Sequence, residues 1–257
     1  MKKSKIVITL VSCLVISGGI VSYQMLSPKD ESVVLNDSVT VSELANADDA
    51  NVKESTIESV NGESVQKQEL AFDKKVVTHA DFVNVYNDLE SLEREASIVV
   101  EGEISDTSVF LHKVNDDVVP YTIYKVEVSK VFSGDVSVGD VINVAEYGGV
   151  ITAEEAGLDA KFPEMSENEK EQKIYFSFGN SVSVTGDKLL IFGSDNEGFQ
   201  ILDYDEPYYM LVNEYQGKFD FDAESNSYSR DIPDFASNID ELKMSDNEIN
   251  STLSTLE

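Results

Sequence analysis

The sequence predicts a mainly β fold, five to seven short strands curling into a closed or partly open barrel behind one amphipathic helix. Three observations predict it. From Ser97 onward, apolar residues recur at every second position. The runs are short, with glycine-containing turns between them. Immediately before Ser97 the apolar spacing is three and four, the period of a helix.

The helix is expected from Thr78 to about Ala96, where Phe82, Val85, Leu89, Leu92 and Ala96 share one face. Thr78 is its expected cap, with Asp81 three residues on as an imperfect capping box. The first strand follows: Ile98, Val100 and Ile104 alternate with Val99, Glu101 and Glu103, and Gly102 inside the run predicts a bulge. Tyr121 to Phe132 alternates again, with Tyr124, Val126 and Val128 opposite Lys125, Glu127 and Ser129. Ser133-Gly134-Asp135 and Gly139-Asp140 mark turns before a strand over Val141 to Tyr147, which Gly148-Gly149 ends.

Residues 152–172 read as a surface excursion. Thr152-Ala153-Glu154-Glu155 is a capping-box pattern, Pro163 interrupts the segment, and seven acidic residues face two lysines. Strand signals return at Ile174–Phe178, Lys188–Phe192, Phe199–Leu202, Tyr208–Val212 and Lys218–Phe221. The expected domain runs from 78 to 233, and residues 234–257 read as a polar tail with weak helical spacing at Ile239, Leu242 and Ile249.

Ahead of the domain lie two segments of different composition. Residues 1–26 open Met-Lys-Lys-Ser-Lys and continue without a charge from Ile6 to Leu26, the pattern of an export signal. The lysines resist translocation, so the remainder crosses. Three processing routes fit: retention as a membrane anchor, cleavage near Ser17–Ser22, and lipidation of Cys13 in the lipobox-like Leu10-Val11-Ser12-Cys13. Residues 27–75 read as a disordered tether, for there is no aromatic residue between Tyr23 and Phe72 and too little apolar area to offset ordering entropy.

Charge and cysteine usage exclude several functions. The chain carries a net charge of −30, and beyond the three leader lysines 16 basic residues face 49 acidic ones. Such a surface repels nucleic acid and anionic head groups. Cys13 is the one cysteine, so the exported part has neither disulfides nor thiol chemistry nor Cys-ligated zinc. That usage suits a Gram-positive cell surface.

The segments SIVVEGEISD, YTIYKVEVSKVFSGDVSVGDVINVAEYGG, GDKLLIFG and YYMLVNEYQGKFDF, in that order, resemble a group of uncharacterised exported Gram-positive bacterial proteins. The layout, over roughly Ser97 to Tyr228, is similar to the oligonucleotide/oligosaccharide-binding (OB) barrel of netrin-like modules and tissue inhibitors of metalloproteinases. The resemblance implies a fold and not an activity. Those inhibitors chelate zinc through an N-terminal cysteine held by disulfides, and this chain has neither.

No catalytic constellation emerges. His79 and His112 lie far apart, and neither a Gly-x-Ser-x-Gly elbow nor a phosphate-cradling loop is present. Carboxylates are the one abundant functional group. Asp220, Asp222 and Glu224, with Asp231 beyond, share the acidic spacing of a calcium loop, but Ser225 stands where that loop needs glycine. Tyr204, Tyr208 and Tyr209 form a candidate ligand-stacking cluster. No cofactor is expected. The expected function is a non-enzymatic binding module at the cell surface, with an extracellular protein or wall glycan as partner and membrane contact through the N-terminal segment alone. Two alternatives stand beside it: a carboxylate-dependent envelope hydrolase and a cation-binding surface protein.

Overall fold

The computed structural model describes residues 12–16, 19–23, 70–82, 84–115, 117–195, 201–236 and 238–253. The expected tether lies outside the described residues up to residue 69, and so does most of the leader. The described leader backbone is extended: Ser12–Ile16 (β1) pairs antiparallel with Gly19–Tyr23 (β2). No helix among the described residues is long and apolar enough to cross a membrane. Lys74–Val77 (β3) and His79–Phe82 (β4) follow, and β4 pairs with β2.

The expected long helix is shorter and starts later. Thr78 does not cap it; that residue is fully buried, and its hydroxyl meets the Tyr147 hydroxyl at 2.6 Å. Asp88 caps instead, accepting the Ser91 N–H at 2.7 Å, and the helix is Leu89–Glu95 (α1). An aspartate at the cap satisfies a first-turn amide that has no partner within the helix. Leu89 and Leu92 are its buried face.

Two long strands come next, Ile98–Val114 (β5) and Asp117–Ser133 (β6), paired antiparallel down their whole length. Asn115 supplies the left-handed backbone (φ 56°) that their tight connection needs. The expected irregularity at Gly102 is present as a register shift between Glu101 and Gly102. A Cβ there would lie 2.7 Å from the Glu127 carbonyl oxygen, so the close approach requires glycine. Val141–Tyr147 (β7) completes a meander on β6.

At Gly148, φ 112°, the chain leaves this sheet. Gly149–Thr152 (β8) pairs with Lys173–Ser177 (β9), which also runs parallel to β3. Between them lie two short surface helices, Leu158–Lys161 (α2) and Glu167–Lys170 (α3). The Thr152 and Glu155 side chains make the reciprocal bonds of the expected capping box, although ordinary turns follow.

Lys188–Ser194 (β10) returns to pair with β5. Tyr209–Leu211 (β11) bridges β10, antiparallel, and β7, parallel. The sequence β11-β7-β6-β5-β10 therefore closes on itself as a ring of five strands within an eight-stranded sheet. Lys218–Asp222 (β12), Ser227–Ser229 (β13) and Lys243–Ser245 (β14) extend the sheet from β10. Of the expected strand Phe199–Leu202, residues 196–200 lie outside the described set and 201–202 are not extended in a ladder.

All five ring strands contribute to one apolar cluster. Ile98, Val100, Tyr124, Val126, Val144, Ile191 and Leu211 fill the interior of the ring. Residues one position out of phase face outward and are covered in turn. Val99, Leu190 and Phe192 pack under α1 and the final helix, Asp246–Leu253 (α4). Tyr121, Ile123 and Ala145 pack against Phe178, Leu202 and Tyr215. The tail is thus more than polar spacer: Ile249 and Leu253 are buried, and each such burial contributes roughly 2 kcal/mol. Packed elements continue beyond both ends of 78–233.

Candidate functional site

The inward face of β7 runs Ile142, Val144, Glu146, so the period-two pattern that fills the ring also delivers a carboxylate to one end of it. Glu146 is 1 % exposed and Lys218, from β12, is 2 % exposed. They pair at 2.8 Å. The same Glu146 oxygen accepts the Tyr124 hydroxyl, and the other accepts the Asn180 side-chain amide at 2.8 Å. The Lys218 ammonium also donates to the Ser181 carbonyl at 2.9 Å and lies over the Tyr124 ring. Burial alone would depress the Lys218 pKa, but Glu146 and Asp220 outweigh it and hold the group above the ordinary lysine value. Tyr124 is pushed well above a normal phenol by burial and then by Glu146.

A second glutamate is buried close by without such company. Glu214 begins a short 3₁₀ turn, Glu214–Gly217, after β11. It and Asn213 both have left-handed backbones, φ 55° and 50°, a conformation that costs non-glycine residues on the order of 1 kcal/mol each. Its carboxyl accepts the Tyr147 N–H at 3.1 Å. Burial pushes its pKa up to about 8, with the Tyr147 amide pulling the other way and Glu146 adding to the rise.

The Glu146–Lys218 pair underlies an open groove of about 760 Å³. The floor is the irregular segment 181–184, between β9 and β10, and all four of its amides are engaged. Ser181 N–H goes to Asp231 (2.8 Å), Val182 N–H to the Tyr175 hydroxyl (2.9 Å), Ser183 N–H to the Tyr124 hydroxyl (3.1 Å) and Val184 N–H to Asp187 (2.9 Å). Both serine hydroxyls also donate, Ser181 to Asp231 at 2.7 Å and Ser183 to Asp220 at 3.0 Å. The walls hold carboxylates at Asp187, Asp220, Asp231 and Glu241, and bases at Lys188 and Arg230. Leu70, Val182, Val184 and Phe221 supply apolar surface.

Arg230 is a fixed part of the wall. Its guanidinium donates to the carbonyls of Tyr86 (2.8 Å) and Asp240 (2.6 Å), while its Nε–H is buried and has no hydrogen-bond partner. Burial lowers its pKa to about 10, so it stays charged at neutral pH.

Of the residues singled out from sequence, Asp220 and Asp231 are brought together at this groove. Asp222 is not; its oxygens accept the Glu224 N–H at 2.9 Å and the Ser225 hydroxyl at 2.6 Å within the β12–β13 turn, where Glu224 is exposed. Among the described residues, no group of three or more His, Cys, Asp or Glu side chains is gathered as a metal site would require. Tyr204 and Tyr208 pack edge-on at 6.0 Å with Phe110 beside Tyr204, and the Tyr208 hydroxyl accepts the Leu202 N–H at 2.7 Å. Tyr209 belongs to a different cluster, against the ring interior. Cys13 lies in β1, and its side chain is outside the described set.

Sequence reasoning passed over Glu146, Ser181, Ser183, Glu214, Lys218 and Arg230. One signal was available: Glu146 occupies an apolar-phase position two residues after Val144, where a charge is costly unless paired. No protein-family model matches the chain, and neither does any curated protein or solved structure.

Proposed function

We propose that this chain is a non-enzymatic binding module displayed on the outer side of a membrane, tethered through its N-terminal segment, with the groove over segment 181–184 as its ligand site. The five-stranded ring is an OB-like barrel in this reading. In support, three meandering strands are followed by a fourth that pairs with the first, and a fifth bridges the fourth and third, as Greek-key closure requires. The uncharged run from Ile6 to Leu26 behind three lysines supports the placement.

The observation that carries the binding reading is the groove itself, open, mixed polar and apolar, and floored by a segment pinned from beneath by a buried ion pair. Binding is favoured over hydrolysis because Glu214 and Glu101, whose pKa values burial raises, do not line the groove. Asp220 and Asp231 instead each anchor a floor serine.

A photo-crosslinking amino acid in place of Ser229, in the groove, tests this on intact cells against the same group at Val138, which is 66 % exposed. The expected result is a discrete adduct from position 229 and none from 138. Equal labelling at both, or none at either, overturns the binding reading. Protease added outside intact cells is expected to degrade the folded part; full protection overturns the placement.

A further inference from the structure

We infer that the groove takes a basic peptide segment, with lysine or arginine side chains of a partner protein seated among Asp187, Asp220 and Glu241. This rests on the groove being the binding site and goes further by naming the ligand chemistry.

The donor inventory of the groove carries the inference. A ligand must meet the polar atoms it covers, because a buried donor or acceptor left unpaired weakens binding. In segment 181–184 every N–H and both hydroxyl protons already point to partners within the protein. None of these protons is left for a ligand, and the carbonyls of Ser181 and Val184 are themselves engaged, by the Lys218 ammonium and the Asp187 N–H. The walls add four carboxylates against two bases, and one of those bases has already given two of its nitrogens to backbone carbonyls. An anionic ligand would find no free donor on the floor and a net negative wall. A cationic ligand finds carboxylates along the wall, and the chain's net charge of −30 draws it in from a distance.

One further feature selects a peptide among cations. Leu70, Val182, Val184 and Phe221 offer apolar surface for the methylene stems of lysine and arginine, whose charged heads stay at the carboxylates. The volume suits a few side chains.

The test is titration of the full-length protein, purified in detergent, with three fluorescent probes: a hexa-arginine peptide, a hexaglutamate peptide and a chitosan hexamer. The arginine peptide is expected to bind, with affinity falling steeply as salt rises. Asp220→Asn with Glu241→Gln, which preserves side-chain shape, is expected to weaken it about tenfold, and Lys188→Glu to tighten it roughly threefold. Lys188 is exposed, so that second variant reports even if the first fails to fold. Asp135→Asn with Asp205→Asn, both exposed and outside the groove lining, removes the same charge and is expected to change affinity less than twofold.

Equal losses in the two double variants, or no tightening by Lys188→Glu, overturn the inference. So does preference for hexaglutamate or for the chitosan hexamer, the latter pointing to an amino-sugar glycan. If position 229 crosslinks a partner while the arginine peptide fails to bind, the ligand class falls and the binding module stands. If neither occurs, both fall.

Discussion

Glu146 and Glu214 are both buried at one end of the same ring, and they meet burial in opposite ways. Glu146 receives a lysine ammonium, a tyrosine hydroxyl and a side-chain amide. Glu214 receives one backbone N–H, and its carboxyl stays protonated up to about pH 8. Burial exacts the same penalty from any bare carboxylate, so the count and charge of the donors decide the outcome. The donors to Glu146 arrive from β6, β12 and the segment after β9, so neutralising its charge also ties the groove floor to the ring. Glu214 ties little together, and it destabilises the fold across the neutral range.

The largest effect is expected from making Glu146 resemble Glu214. Lys218→Met keeps the side chain's length and removes the one cation beside a buried carboxylate, a change that costs about 3–5 kcal/mol in comparable settings. Urea unfolding at neutral pH checks it. The loss is expected to shrink in Lys218→Met combined with Glu146→Gln, which removes the orphaned charge. A loss that persists in the double variant would mean that lysine packing, and not charge, holds the site.

The next effect has the opposite sign. Glu214 has a folded pKa of about 8 against an ordinary value of 4.5, so between those limits the folded form holds a proton that the unfolded form has lost. Stability then falls as pH rises, by about 1.4 kcal/mol per pH unit, until the folded carboxyl itself ionises. Glu214→Gln removes the titrating group while keeping the shape. It is expected to stabilise the protein by roughly 3 kcal/mol at pH 7, with the advantage gone below pH 4.5. Urea midpoints of both proteins from pH 4 to 8 measure it, and a pH-independent difference would break the contrast between the two glutamates.

A smaller change sharpens the contrast from the donor side. Asn180→Ala strips one of three donors from Glu146 and leaves the cation in place. A hydrogen bond to a charged group contributes about 2 kcal/mol, so a loss near that value is expected by urea unfolding. A loss as large as that of Lys218→Met would show that the donors act as an inseparable unit.

How much of this the sequence disclosed follows from distance along the chain. The strand at Val141–Tyr147 has the bounds that alternation predicts, and the Gly102 irregularity is where the glycine indicated, because both depend on neighbouring residues. Ring closure depends on β11 reaching both β7 and β10, and no local pattern encodes a parallel pairing 65 residues apart. The helix start was misread because Thr78 is a plausible cap by type while tertiary contact with Tyr147 claims its hydroxyl. At the groove, Asp220 was noticed for its acidic neighbours in sequence. Its actual partner, Ser183, is 37 residues away, and Lys218 and Glu146 are 72 apart. A carboxylate in an apolar phase announces that a partner exists without saying which.

The smallest effect expected is that of Ser183→Ala, and it asks whether groove and buried pair are separable. The substitution removes the 3.0 Å hydroxyl bond to Asp220 and leaves the Ser183 N–H on the Tyr124 hydroxyl, so the chain of bonds to Glu146 survives. A loss of about 1 kcal/mol is expected, less than for Asn180→Ala because this carboxylate is only part-buried and water can replace the lost donor. Combined with Asn180→Ala, the two losses are expected to add within about 0.5 kcal/mol if the floor's outer anchors act independently of the carboxylate beneath. Coupling well above that, read from the urea curves of the four proteins, would mean that Asp220 and Glu146 belong to one network. Charge placed in the groove would then be felt inside the ring, and the separation between a binding surface and its buried support would have to be given up.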